Sequence, residues 1–366
     1  MMSFASWGNA LYSGDKSYPI VPKRKNWLIV GFTLIVLSII LFGARGLNPS
    51  IEFSGGSQFI LSGVETTDQS VAYSVLNDYG IRDGVRVAEL GQSGVRVQTA
   101  QIEPDEIAQI RDSLAAAYDV DSSDIEATNI GPSWGGEVTK KAAQSLVIFL
   151  ILVGAMMAVY FMSWSMSAAA LIALGHDIFL TAGFFSLTQV EVSPATVIGF
   201  LTILAYSLYD TVVVFDRVRE LTSAITAQSR FTFAEMVNLA INQTLVRSIN
   251  TSIVALLPVG AILFLGSFLL GAGTLTDISL ALFVGMIAGT LSSVFIAPSM
   301  LVVIELRRKK IRQHTERVVK LRQRTSGAET AEAQESDKKI KVTPLKPGRH
   351  LGQQAQPTKK NRKKKR

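Results

Sequence analysis

Six stretches of this chain are apolar over the roughly 20 residues that a helix needs to cross the hydrocarbon core of a bilayer. They lie at 27–47, 142–161, 166–187, 192–215, 248–270 and 278–304. Hydrophobic residues make up 48% of 366, and the mean hydropathy is +0.31. The pattern predicts a multi-pass α-helical membrane protein with six transmembrane helices. The first stretch begins deep in the chain and has no small-residue cleavage site behind it, so it reads as an anchor rather than a removable signal.

Charge divides the polar parts. The net charge of +7 conceals a basic tail at 305–366, with 21 Lys/Arg and 6 Asp/Glu, and an acidic stretch at 46–139, with 15 acidic and 4 basic groups. Short loops rich in Lys and Arg stay on the cytoplasmic side. Lys16, Lys23, Arg24 and Lys25 precede the first span, and Arg217, Arg219, Arg230 and Arg247 fall between the fourth and fifth. The loops around Glu191 and Asp277 hold no Lys or Arg. Both termini are therefore expected in the cytoplasm, with the acidic stretch on the other side. Lys140 and Lys141, just before the second span, run against this scheme.

The expected organisation is a cytoplasmic segment at 1–26, a first span at 27–47, an extracytoplasmic α+β domain at 48–141, and a five-helix bundle at 142–304. The bundle contains a cytoplasmic connector at 216–247, and 305–366 forms a basic disordered tail. In the α+β domain GSQFILSG reads as a strand, TTDQSVAYSVLNDYG as a helix with Val71, Val75 and Leu76 on one face, and VRVAEL with VRVQTA as a hairpin turning at Gly91 and Gly94. PDEIAQIRDSLAAAY opens a second helix at Pro104, and IEATNI closes as a strand. The order βαββαβ predicts a ferredoxin-like domain. In the connector, FTFAEMVNLAINQTLV is apolar at helical spacing, either as a surface helix or as one packed on the bundle. The tail ending KKNRKKKR is too polar to bury a core; it reads either as a contact for anionic lipid or the ribosome, or as a topology determinant.

Two acids interrupt the apolar runs, Asp177 in the third and Asp210 in the fourth. A carboxylate at bilayer depth costs about 2.5–3.5 kcal/mol on insertion scales, and such groups face a bundle interior or an ion path. Asp177 follows His176, with Thr181 on the same face; Ser207 shares a face with Asp210. For Asp177 the alternatives are proton exchange or a structural bond between helices. Arg247 opens the fifth span, and two readings stay open: it pairs with Asp210 in one protonation state, or it snorkels to the interface. The spacing of Gly285 and Gly289 marks close helix packing, and Pro194, Pro258 and Pro298 are candidate bends. With no cysteine and three histidines, two of them in the tail, neither a metal cluster nor a cofactor is expected.

Several segments together carry a resemblance. GHDIFLT at 175–181, LAYSLYDTVVVFDRVRE at 204–220, INQTLVRSINTS at 241–252 and VGMIAGTLSSVFIAP at 284–298 resemble, in order, segments of the SecF branch of the SecD/SecF export family, within the RND superfamily. IEFSGGS at 51–57 is similar to its strand start after the first span, and IGPSWGGE at 130–137 to the approach to the second. Two positions depart from the family motif: Tyr209 stands where Asn is usual, and Ala205 where Gly is usual. The resemblance implies a non-enzymatic accessory subunit of the Sec translocase in a bacterial plasma membrane. It implies six spans joined to six of SecD, work beside the SecYEG channel and the SecA motor on a translocating preprotein, and use of the proton-motive force. It also implies that Asp210 is the proton-responsive acid, Arg247 its basic partner and Asp177 a further acid. The rival reading is a small-molecule efflux transporter, which normally carries two related halves in one chain; this chain has one six-span unit. A passive scaffold is the third.

Overall fold

A computed structural model describes residues 4–266 and 273–333. The chain opens with α1 (Phe4–Ser13) and α2 (Arg24–Arg45), then β1 (Asn48–Pro49), α3 (Ile51–Ser54), β2 (Gly56–Ser62), α4 (Gln69–Asp78), β3 (Arg86–Leu90), β4 (Gly94–Thr99), α5 (Pro104–Tyr118) and β5 (Ile125–Ile130). It continues with α6 (Pro132–Phe161), α7 (Trp164–Thr188), β6 (Glu191–Val192), α8 (Pro194–Thr222), α9 (Phe233–Leu265), α10 (Gly273–Leu291), α11 (Ala297–Arg307) and α12 (Lys309–Ala333). Among the described residues six helices are long and apolar enough to cross a membrane: α2, α6, α7, α8 extended to Ala227, α9, and a last one made of α10 and α11 in series.

The segment between the first two spans folds as the alternation and glycine turns predict. β2 lies at the centre, antiparallel to β4 on one side and to β5 on the other, and β3 extends the sheet beyond β4. The order β3-β4-β2-β5 with helices α4 and α5 is that of a ferredoxin-like split βαβ. One face buries Phe59, Leu61, Val95 and Val97 against Leu76, Ile110 and Leu114. Asp68 caps α4 by accepting from the Ser70 amide, and Pro104 starts α5, where a missing N–H costs nothing. The stretch expected to begin the first strand differs: Ile51–Ser54 forms a helical turn, and pairing starts at Gly56.

Two short strands join this domain to the bundle. β1 pairs in parallel with β6, in the loop between α7 and α8. Arg96 on β4 makes an ion pair with Glu191, which also accepts from Gln98 Nε2 at 2.7 Å. Two-residue strands have no periodicity to read, so this joint is invisible in the sequence.

In the bundle, α7 and the last span are interior, each with 50% of its most apolar window buried, against 11% for α2 and α6. Small residues set the spacing between helices. A Cβ on Gly289 would come within 2.8 Å of Ser207 Cβ, and Gly285 faces Ile203 more tightly still, so α10 lies close against α8. Pro194 bends nothing: it occupies the first turn of α8 behind a Ser193–Thr196 capping box. Pro298 follows a π-helical turn at Ser292–Ile296, where its missing N–H leaves the helix unable to continue its regular bonding.

Two expectations fail. The connector at 216–247 is not a separate piece: α8 runs on to Thr222, and α9 is one 33-residue helix from Phe233 that includes the fifth span. Its early apolar face, Phe233, Val237, Ala240 and Ile241, is buried in the main core, so that segment packs on the bundle. The tail is not disordered from its start. α12 is helical to Ala333, with Ile311, His314 and Val318 buried. These positions fall at 3.6-residue spacing, and three apolar or aromatic contacts on one face outweigh an otherwise charged composition. Residues 334–366, including KKNRKKKR, and the expected end of the fifth span at 267–270 lie outside the described residues.

Candidate functional site

Asp210 sits on the face of α8 that turns inward with Ser207, Thr211 and Val214. It is 4% exposed. Ser248 on α9 donates its hydroxyl to Oδ1 at 2.7 Å, and Ser293 in the π-helical turn donates to Oδ2. One carboxyl group thus ties together three separate elements. The π turn matters here because an extra residue per turn shifts side chains round the axis, and such turns recur at functional sites.

A run of hydroxyls continues from this acid. Ser252 lies one turn beyond Ser248 and donates to its carbonyl at 2.8 Å; its Oγ also shares a hydrogen bond of 2.7 Å with Thr290 Oγ1. Tyr206 OH donates to Ser252 Oγ at 3.3 Å. Nothing in the sequence marks Ser248, Ser252, Thr290 or Ser293 as partners of the acid. A serine in an apolar span reads as a small residue; only its facing an acid on another helix distinguishes it.

Asp177 on α7 is 1% exposed. Ser207 of α8 donates to its Oδ2 at 2.6 Å, and His176 Nδ1 lies 3.3 Å from its Oδ1. Thr181 bonds the Asp177 backbone carbonyl at 2.8 Å and leaves the carboxylate alone. His176 is buried beside Gly31 of α2, and its Nε2 has no hydrogen-bond partner among the described residues. Both acids are therefore served from adjacent turns of α8, through Ser207 and Asp210 themselves.

Arg247 is not brought to Asp210. Among the described residues Asp210 has no ion pair, and Arg247 Nη2 donates to Tyr209 OH at 3.3 Å. The reason is angular: Ser248 holds the face of α9 toward Asp210, so its neighbour points about 100° away. Arg247 instead lines a polar recess of about 450 Å³ with Arg217, Asp216, Glu220 and Tyr12. Tyr209, the departure from the family motif, is likewise half exposed and turned from the acid it precedes.

The arrangement can bind a proton. An ionised Asp210 accepts from both serines. A protonated one must donate from one oxygen, and one serine hydroxyl must then turn to accept. Charge and hydrogen-bond direction between α8, α9 and the π turn change together.

Residues 109–307 match the family described as protein export membrane protein SecD/SecF, C-terminal. The chain is 42% identical over 342 residues to the protein translocase subunit SecF of Streptomyces coelicolor, covering 92% of this chain and 89% of that one. It is 38% identical over 339 residues to the SecF subunit of Mycobacterium tuberculosis, covering 90% and 76%. Against the SecDF translocase subunit of Thermus thermophilus it is 32% identical over 271 residues, 73% of this chain and 36% of that one. The crystal structure of SecDF, a translocon-associated membrane protein from Thermus thermophilus, superposes with a TM-score of 0.71 at 28% identity, covering 80% of this chain and 39% of that chain.

Proposed function

The chain belongs to the SecD/SecF family of protein export membrane proteins and is a multi-pass membrane protein; from that premise we propose that it is a proton-coupled accessory subunit of the Sec translocase. In this reading it pairs with SecD, beside the SecYEG channel and the SecA motor, and draws on the proton-motive force to assist the late passage of a preprotein. The likeness to just over a third of a SecDF chain supports a partner that supplies the remaining spans. Both termini lie in the cytoplasm and the α/β domain on the opposite side of a bacterial plasma membrane, in accord with the loop charges.

The observation that carries the proposal is Asp210: a buried carboxyl group held, among the described residues, by hydroxyls from two other elements. In the proposed cycle a proton neutralises it, the serine bonds rearrange, and α8 shifts against α9 and the last span. The β1–β6 joint passes that shift to the α/β domain, which moves a bound unfolded segment away from the channel. No covalent step is required. Arg247 acts as the basic partner in the state where it swings past Tyr209 toward the acid, and Asp177 as a second acid reached through Ser207.

Asp210→Asn keeps the shape but cannot change charge; its amide nitrogen donates as the protonated acid does, so one serine hydroxyl must turn to accept. Export into vesicles energised by a pH gradient is expected to lose its proton-dependent part, while insertion and copurification with SecD persist. Full proton-stimulated export by this variant would exclude the mechanism. A loss of copurification as well would point to the scaffold role instead.

A further inference from the structure

The last span reaches the joint between the α/β domain and the bundle, and the acid it brings there takes no part in the proposed cycle. α10 begins tightly packed on α8: a Cβ on Gly199 would lie 3.3 Å from the Ile278 carbonyl oxygen and 2.9 Å from Ala281 Cβ. Asp277, one residue before this contact, stands beside the start of α8. Its carboxyl group is hydrogen-bonded to Ser193 and lies in the field of Arg96, Glu191 and Glu52. Charged side chains from α3, β4, β6 and α10 thus meet at one place, and each of them is partly buried.

The charges do not balance, because three carboxylates face one guanidinium. Arg96 gives Nη1 to Glu191, and its Nε is buried with no hydrogen-bond partner among the described residues. A guanidinium carries five N–H groups in a rigid fork, and a buried one left unpaired is costly. The pair with Glu191 therefore leaves Arg96 incompletely satisfied. Glu191, for its part, does not depend on Arg96 alone, since Gln98 Nε2 donates to its other oxygen at 2.7 Å. The guanidinium can leave without stranding the carboxylate behind it.

We propose that Asp277 is a second seat for Arg96: the guanidinium alternates between Glu191, in the loop joining α7 to α8, and Asp277, on the last span, and so ties the α/β domain to one part of the bundle or the other. Asp277 shares its span with Ser293, 16 residues and about 24 Å further along. A shift of that span at Asp210 would carry the second seat toward or away from Arg96. This last step rests on the proton cycle proposed above; the exchange of partners does not.

The chain has no cysteine, so paired spin labels can be placed without ambiguity. Gln92→Cys, in the exposed turn before β4, and Leu275→Cys, exposed at the start of α10, report the distance between domain and span in the full chain in vesicles without a gradient. Glu191→Gln is expected to move the distance distribution toward the Asp277-seated state, and Asp277→Asn to move it the opposite way. In an Arg96→Gln background both shifts should vanish. The proposal is overturned if the two variants leave the distribution unchanged or move it in the same direction, or if the shifts survive without Arg96. Opposite shifts that depend on Arg96, in a protein whose distribution ignores a pH gradient, would keep the second seat and remove the proton cycle.

Discussion

At Asp210 the groups within hydrogen-bonding distance are two serine hydroxyls rather than a guanidinium. A hydrogen bond to a charged group is worth about 1.5–3 kcal/mol. Ser293→Ala is therefore expected to reduce proton-driven export roughly tenfold or more. Ser292→Ala is the control: its hydroxyl bonds the Gly289 carbonyl at 3.1 Å, and export driven by a pH gradient should stay near the wild-type rate. Equal losses in the two variants would reduce Ser293 to a packing residue. The acids themselves were legible, because a carboxylate inside an apolar run has few bland explanations. Their partners were not, since Ser248 and Ser293 lie 38 and 83 residues away and look like ordinary small residues of a membrane helix. Arg247 stands beside Ser248 in sequence but one step round the helix from it, and donates to Tyr209 OH; sequence proximity alone could not tell the two open readings apart.

Among the elements, those with strong local patterns were legible nearly to the residue. Helix α5 spans Pro104–Tyr118 and β5 spans Ile125–Ile130, as Pro104 and the alternation predicted. What escaped was whatever depends on another element. The turn at Ile51–Ser54, the β1–β6 pair and the unbroken course of α9 are decided by packing, not by composition. The joint around Glu191 invites a direct test. Arg96 and Glu191 are only 14% and 12% exposed, so Glu191→Ala leaves a largely buried guanidinium without its acceptor and the Gln98 amide with Gln58 Oε1 alone. The expected cost is about 1–3 kcal/mol. It should appear as faster amide exchange in β1 and β6 while the sheet of the α/β domain keeps its protection. Unchanged exchange at β1 and β6 would show that the two-residue pairing holds without the charge cluster.

For the molecule as a whole, six spans and an inserted α/β domain were evident from hydropathy and charge, but the extent of ordered structure past the last span was not. Charge counting took everything beyond residue 304 for tail, whereas His314 Nε2 reaches the Gln228 carbonyl at 2.7 Å and Ile311 and Val318 are buried. Ending the chain after Arg308 is expected to lower the melting temperature in detergent by several degrees, as the loss of two buried aliphatic side chains at about 1.5–3 kcal/mol each implies. Ending it after Ala333 should leave the melting temperature unchanged. Equal melting temperatures for the two truncations would show that α12 contributes nothing to the bundle. The joint between domain and bundle has a mechanical corollary. β6 lies in the loop that links α7 to α8, the helices bearing Asp177 and Asp210, and β1 ties it to the root of the α/β domain. Coupling between two sites is reciprocal. If the proton drives the domain, then a substrate tugging on the domain must alter how readily the carboxyl group takes its proton, and the subunit would sense load as well as deliver force.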